Sequence, residues 1–307
     1  MHPPLDGAED RHSALKQDCM KRYDLTIPSD APGGRLLTYV SRQLPMVPFF
    51  ILRDAFVKKD VKVNGKRVGQ TASVTPGAQI TLFVRERESR KIPILYQDGQ
   101  VLIAVKPAGI SCEKDAQGGK TLTALLQDQL REQDSSAPEP LLCHRLDNPT
   151  EGLMVLALTP GAQASLQDAF RNRQIHKEYI CLVRGTPSPA HQVASAWLQK
   201  DALHARVHIY GAERPGAKPI ITEYTVLQPG PCCRLRVCLH TGRTHQIRAH
   251  MAFLGHPLLG DDQYGDRAFN REYKARKLML CSSGLRFSLE GPMAYLNDHP
   301  FTIQPSF

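Results

Sequence analysis

Asp147 closes the tetrapeptide His144-Arg145-Leu146-Asp147, and the chain then runs through Asn148-Pro149-Thr150-Glu151-Gly152 into the apolar Leu153-Met154-Val155-Leu156. Charged residues, a turn with proline and glycine, and then an apolar run describe a loop at the mouth of a buried strand. A carboxylate in that place can be held by the scaffold and still face a ligand. Well downstream lies Thr241-Gly242-Arg243-Thr244-His245-Gln246-Ile247-Arg248-Ala249-His250. Read as a helix after the Gly242 turn, it puts His245 and Arg248, three apart, on one face. An arginine can grip a carboxylate bidentately and keep it ionised at neutral pH. A nucleophilic or basic carboxylate in a nearly dry pocket needs such a partner, because burial alone raises its pKa. A single aspartate before a strand is more often a turn or capping residue. The two stretches together point to chemistry.

Other residue patterns fit other chemistries poorly. His240, His245, His250 and His256 invite a zinc site, but their spacings of five, five and six miss the four-residue interval of helical zinc ligands, and no glutamate is interleaved. No metal is expected. Cys143 and His144 are adjacent, so on a strand they point to opposite sides and do not form a thiol–imidazole pair. Eight cysteines without a C-x-x-C pair read as reduced thiols of a cytoplasmic protein rather than a disulfide framework.

The elements that would carry these residues can be read in order. Residues 1–32 are polar and broken by prolines, and are expected to form a partly disordered tail. A compact module at 33–84 has short helical candidates at Arg35–Gln43 and Phe49–Val57. Its hairpin at Val61–Val68 turns on Asn64-Gly65, the strongest two-residue hairpin signal, and a strand follows at Ile80–Val84. Residues 85–92 form a charged linker. A larger domain at 93–307 opens with Ile94-Leu95-Tyr96 and the strand Val101–Val105, which ends at Lys106-Pro107-Ala108-Gly109. Helices are expected over Thr121–Glu132, with Leu122, Leu125, Leu126 and Leu130 on one face, over Ala162–Arg171 and over His245–Leu254. Strands are expected at Tyr179–Val183, Ala205–Ile209, Glu223–Leu227 and Leu235–Leu239. Strands outnumber helices without strict alternation. That predicts an α+β fold with a mixed, largely antiparallel sheet, plus the small N-terminal α/β module.

Composition sets the outer bounds. The apolar fraction of 41% supports real cores, and the net charge of +9 favours polyanionic partners without choosing among them. No apolar run is long enough to cross a bilayer, and the first thirty residues lack a signal-peptide core. No membrane association and no obligate protein partner are expected, and the protein is read as a monomer.

From Ile94 to about residue 290 the chain resembles the RluA-type pseudouridine synthases. The blocks that carry the resemblance are Tyr96-x-Asp98 through Lys106-Pro107-Ala108-Gly109; His144 to Leu153; Lys177-Glu178-Tyr179; and Gly242 to His250, followed by Gly255-His256-Pro257 and Gly260-Asp261-x-x-Tyr264-Gly265. The resemblance implies isomerisation of uridine to pseudouridine in RNA, ribosomal RNA being favoured over transfer RNA, with no cofactor. It makes Asp147 the catalytic aspartate, Arg248 its pairing arginine and Tyr179 the residue that stacks on the target base. Arg145 would help displace that base, and Ile247 would help form the apolar floor, although a plain core role suits Ile247 equally. His144, Lys177, Arg243 and His245 lie in the same blocks and are expected near the substrate. Glu151 stands where the family more often has serine, and Cys112 and Glu113 stand near a place where a histidine is common. The 33–84 module resembles the S-four RNA-binding domain. It carries Arg53, Lys58, Lys59, Lys62, Lys66 and Arg67 against Asp54 and Asp60, a net basic surface suited to phosphates. The competing reading is an RNA-binding protein without turnover, acting in ribosome assembly; loss of Asp147, Tyr179 or Arg248 would have favoured it.

Overall fold

The computed structural model describes residues 19–44, 47, 49–86, 91–113 and 121–307. The chain divides into two compact units with the boundary between Lys91 and Ile92. In the N-terminal unit, strands β1 (Cys19–Thr26), β2 (Val61–Val63), β3 (Lys66–Val68) and β4 (Gln79–Glu86) form an antiparallel sheet in the order β1-β4-β2-β3, with helices α1 (Leu36–Gln43) and α2 (Phe49–Val57). Asn64 and Gly65 both take positive φ, 48° and 79°, as a tight hairpin turn between β2 and β3 requires. Leu36, Val40, Leu52, Phe56, Val61, Ile80 and Leu82 are buried beneath this sheet and its helices. Two details differ from the sequence reading. Cys19–Thr26, expected within a polar tail, pairs along its whole length with β4. The charged stretch expected as a linker is entered by β4, which continues to Glu86; residues 87–90 lie outside the described residues.

Among the described residues, the C-terminal unit is built on one sheet of eleven strands: β5 (Ile94–Gln97), β6 (Val101–Lys106), β7 (Leu141–Leu142), β8 (Glu151–Ala157), β9 (Ile175–Arg184), β10 (His191–Asp201), β11 (Arg206–Tyr210), β12 (Lys218–Gln228), β13 (Cys232–Leu239), β14 (Leu280–Phe287) and β15 (Phe301–Thr302). The main order is β11-β10-β12-β13-β9-β14-β8-β6-β5, with β7 paired to β8 and β15 to β14. Every pairing is antiparallel except β14 with β8. The predicted α+β class with a mixed, largely antiparallel sheet is the observed one.

Helices α3 (Leu122–Arg131), α4 (Pro160–Arg171), α5 (Gln246–Phe253) and α6 (Arg267–Glu272) complete the unit, with a 3-10 stretch at Gly291–Asp298. Their starts follow local chemistry. Thr121 accepts the Ala124 N–H, and Thr159 accepts the Ala162 N–H with Pro160 in the first turn. One core joins Val101 and Ile103 of β6, Leu153 and Val155 of β8, Leu166 of α4, Leu285 and Phe287 of β14, and Leu296. Thus β8, which follows the Asp147 loop, is anchored in the core. None of the described helices is long and apolar enough to cross a membrane.

Candidate active site

Asp147 sits in the turn between β7 and β8. Its carbonyl accepts the Thr150 N–H at 3.0 Å, and the Asn148 carbonyl accepts the Gly109 N–H at 2.8 Å. Beneath this turn lies Lys106, fully buried at the end of β6. Its ammonium donates to three backbone carbonyls, Pro107 at 3.1 Å, Ile110 at 2.8 Å and Asn148 at 3.0 Å. Burial pushes its pKa down to about 8, against the opposing pull of Cys112, Asp147 and Glu151. The Lys106-Pro107-Ala108-Gly109 block is therefore a clamp that ties the end of one core strand to the aspartate loop. Gly152, the second residue of β8, has φ 126°, and a Cβ there would lie 2.3 Å from the Ser282 carbonyl oxygen. Only glycine lets β14 run alongside β8 at this point.

That close pairing brings in the next residue. Ser282 of β14 is in register with Gly152 on one side and with Tyr179 of β9 on the other. Tyr179 is only 4% exposed, and burial, reinforced by the nearby Asp147 charge, pushes its phenol pKa up. It remains a protonated phenol at physiological pH.

Arg248 comes from α5, which is fixed by its own N-terminal turn. The Gln246 side-chain oxygen accepts from Thr241 Oγ1 at 2.9 Å and from the Arg243 N–H at 3.0 Å, while its amide nitrogen donates to Ile221 O and Thr222 Oγ1 of β12. His250 Nδ1 shares a 2.9 Å hydrogen bond with Thr222 Oγ1. His245 is not on the helix. It occupies the N-cap in the left-handed region, φ 53°, and its Nδ1 is 2.9 Å from the Tyr264 hydroxyl. The expectation that His245 and Arg248 share a helical face is corrected accordingly; both instead converge on Tyr264, whose ring lies 5.3 Å from the Arg248 guanidinium carbon. Burial lowers the His245 pKa, with Asp147 opposing and Arg248 assisting.

The bidentate partner of Arg248 is Asp261, not Asp147. Arg248 Nε donates to Asp261 Oδ2 at 2.7 Å and Nη2 donates to Asp261 Oδ1 at 2.9 Å, both side chains being almost fully buried. The remaining Nη1 faces Asp147 Oδ2 at 3.7 Å, an ion pair beyond hydrogen-bond length. Asp147 thus retains carboxylate surface, 23% of the side chain being exposed, while the arginine beside it is held from behind. Burial pushes the Asp261 pKa up, but Arg248 and the Gln263 and Tyr264 N–H groups overcome this and hold it below the usual carboxylate range. The Gly260-Asp261-x-x-Tyr264-Gly265 block was the available signal for Asp261, yet nothing in its spacing says which arginine it holds.

The remaining residues fall into separate places. His144 Nε2 accepts the Val155 N–H of β8 at 3.1 Å, and its ring packs 4.5 Å from Phe170. Burial, with Lys177 nearby, keeps it neutral. Its position in the motif thus serves the strand's backbone, not the open side of the loop. Lys177 lies over the same Phe170 ring and near Gly242, and burial lowers its pKa. Ile247 is buried at 4% exposure. Arg243 is exposed, and exposed Arg145 reaches Glu113 at 2.6 Å. Glu151 does not present a free charge: Ser306 donates to it through both N–H and hydroxyl, and Lys277 Nζ lies 3.2 Å away. Tyr96-x-Asp98 is a structural staple, since Asp98 accepts from both Tyr96 and Tyr295 hydroxyls and caps the turn at Gln100 and Val101. Among the described residues no group of three or more His, Cys, Asp or Glu side chains is placed to hold a metal ion.

In the N-terminal unit, Arg53, Lys58, Lys59, Lys66 and Arg67 are exposed and Lys62 is partly buried over the Phe83 ring. Lys58 is paired with Asp54.

Comparison with known proteins bears on this geometry. Residues 100–253 match the family described as RNA pseudouridylate synthase. Ribosomal large subunit pseudouridine synthase C of Escherichia coli (strain K12) is 31% identical over 288 residues, covering 87% of this chain and 89% of that protein. The protein of the same name from Vibrio vulnificus (strain CMCP6) is 30% identical over 299 residues, covering 91% and 89%. Among solved structures, human RNA Pseudouridylate Synthase Domain Containing 4 superposes with a TM-score of 0.57 at 25% identity, covering 69% of this chain and 88% of that one. Human RNA Pseudouridylate Synthase Domain Containing 1 gives 0.54 at 26% identity, covering 72% and 93%. The matched segment contains the aspartate loop, Tyr179 and Arg248, and with these relatives spanning most of its length the chain belongs to the RNA pseudouridylate synthase family, an isomerase of the RluA type.

Proposed function

We propose that this enzyme converts specific uridines of ribosomal RNA to pseudouridine, acting as a monomer in the cytoplasm, with Asp147 as its catalytic carboxylate. The observation that carries the reading is the partly exposed Asp147 on a clamped loop, 3.7 Å from an arginine whose other donors are already engaged. The ribosomal target is favoured by the relatives named for the large ribosomal subunit.

The chemistry makes and breaks equal numbers of bonds. The C1′–N1 bond breaks, the uracil turns, C1′–C5 forms, the proton at C5 leaves and N1 gains one, so no oxidant or external group is consumed. The base must leave its stack before a side chain can reach the sugar. Arg145, at the exposed rim, is suited to fill the vacated space once it leaves Glu113. Asp147 acts on the ribose, as nucleophile at C1′ or as base at the neighbouring carbon. Tyr179 covers the extruded ring, and its protonated hydroxyl is available to a proton transfer. Ile247 contributes apolar wall. Lys177, Arg243 and His245 line the approach, whereas His144 acts by holding β8 in place. The N-terminal unit acts as an S-four-like RNA-binding module, its cations from Arg53 to Arg67 contacting phosphates.

The test is pseudouridine mapping by sequencing in a deletion strain, complemented with the wild-type gene or with Asp147→Asn. Ribosomal positions should lose pseudouridine on deletion, regain it with wild type and stay unmodified with the nearly isosteric variant. Restoration by Asp147→Asn would remove Asp147 from the central role, and an unchanged ribosomal map would remove the proposed target.

A further inference from the structure

The end of α6 and the turn after it make a short basic segment that no step above employs, and it lies C-terminal to residues 100–253. Arg271, Lys274 and Arg276 line an open cleft of about 300 Å³ together with Asn270 and Ala275. Among the described residues, no carboxylate lines it. Two other cations of this neighbourhood are tied into the fold: Arg184 pairs with Asp266, and Lys277 with Glu151. Among the described residues, none of Arg271, Lys274 and Arg276 makes an ion pair, and all three are exposed. Three like charges around one concavity repel one another, and a bound anion relieves that repulsion.

The cleft is held as a shaped surface. The Asn270 side-chain amide donates to Asp261 O at 3.0 Å, and its oxygen accepts the Gly260 N–H at 2.7 Å. The Ala275 N–H donates to Asn270 O at 2.9 Å, which closes the turn, with Lys274 in the left-handed region at φ 50°. Lys277 O packs so tightly on Gly260 that a Cβ there would meet it at 1.8 Å. The cleft therefore shares its backbone supports with the loop whose Asp261 grips Arg248.

We propose that Arg271, Lys274 and Arg276 form a binding site for backbone phosphate of the RNA substrate, adjoining the Gly260–Asp261 loop and distinct from the N-terminal module. The inference rests on RNA being the substrate. Guanidinium forks suit phosphate oxygens bidentately, and a lysine adds a mobile point charge. A strand anchored here is held, whatever the sequence of its bases, on the segment that Asn270 ties to the Gly260–Asp261 backbone, and Asp261 in turn grips Arg248.

The test is binding of a short labelled oligouridylate to the full chain across a salt series, with the triple variant Arg271→Gln, Lys274→Gln, Arg276→Gln. Loss of three phosphate contacts on a single strand should reduce the log–log salt slope by roughly 2 and raise Kd by about tenfold or more at moderate salt. The double variant Arg271→Lys, Arg276→Lys keeps the charge and should keep most of the slope. With a ribosomal transcript as substrate, the triple variant's loss should fall in KM. An unaltered slope in the folded triple variant, judged by its circular dichroism melt, overturns the site, as does a loss confined to kcat. A changed slope in a protein that modifies no ribosomal position would retain the phosphate site and reject the ribosomal target; ribosomal modification with an unaltered slope would do the reverse.

Discussion

Replacing Asp261 by asparagine tests whether Arg248 is held from behind. The substitution is nearly isosteric, so it leaves no cavity. It removes the negative charge that meets Arg248 through bonds of 2.7 and 2.9 Å, in a place where the two side chains are 0% and 3% exposed. One amide oxygen can still accept from the Gln263 and Tyr264 N–H groups, but the new NH2 then confronts a guanidinium N–H, donor against donor. Breaking a buried ion pair by removing one partner costs about 3–5 kcal/mol. Asp147 at 3.7 Å and the exposed Asp262 at 3.4 Å offset part of that, so the lower end, about 3 kcal/mol, is the expected loss. For a chain of this size the melting temperature should drop by roughly 6–12 °C. Once the fork is gone, a shift of Arg248 by about 1 Å should lower kcat on the order of a hundredfold. Urea unfolding measures the first quantity, and tritium release from RNA labelled at uridine C5 measures the second. Adding Arg248→Met to Asp261→Asn should recover much of the stability, because the uncompensated buried charge is gone, while activity stays low. If Asp261→Asn instead keeps its stability within about 1 kcal/mol and its kcat within about threefold, the buried fork does not position Arg248 and the reasoning fails.

Further tests follow from neighbouring residues. His250 is fully buried with its pKa pushed down to about 4 by burial, from 6.5. The unfolded chain therefore binds the extra proton first, and stability that is full above pH 6.5 is lost as pH falls toward 4; at 1.36 kcal/mol per unit of pH, His250 accounts for about 3 kcal/mol, a share that His250→Gln should remove from the pH dependence of urea unfolding. A slope identical in the variant would show that His250 is not buried neutral. Gly152→Ala drives a Cβ into the Ser282 backbone at 2.3 Å in a residue with φ 126°, and should destabilise by about 3 kcal/mol or more and reduce activity with it; a wild-type melt would mean that β14 can move aside. In the N-terminal unit, Lys62→Gln with Lys66→Gln should lower the log–log salt slope of RNA binding by roughly 0.7–0.9 per lost contact, and no change would mean that this face does not touch RNA.

Features with local causes were legible along the chain. Asn64-Gly65 demanded its hairpin, the leucine spacing from Leu122 to Leu130 marked its helix, and the turn before Leu153 placed Asp147 at a strand mouth. Strands whose identity comes from distant partners were less legible. β10, His191–Asp201, and β14, Leu280–Phe287, were not anticipated. Along β10 the inward Ala194 and Ala196 are barely more apolar than the intervening Ser195. In β14, Cys281-Ser282-Ser283-Gly284 is buried without any period, because what it needs is small residues to pass Gly152 and Glu178 closely. The same limit applied to the site. The resemblance paired Arg248 with Asp147, and nothing local in the sequence marked Asp261 as the acid that takes the guanidinium fork. Only the packing shows it: Asp261 has its carboxylate fully buried and fixed by backbone N–H donors in line with the guanidinium, which leaves Asp147 the longer contact and the open face.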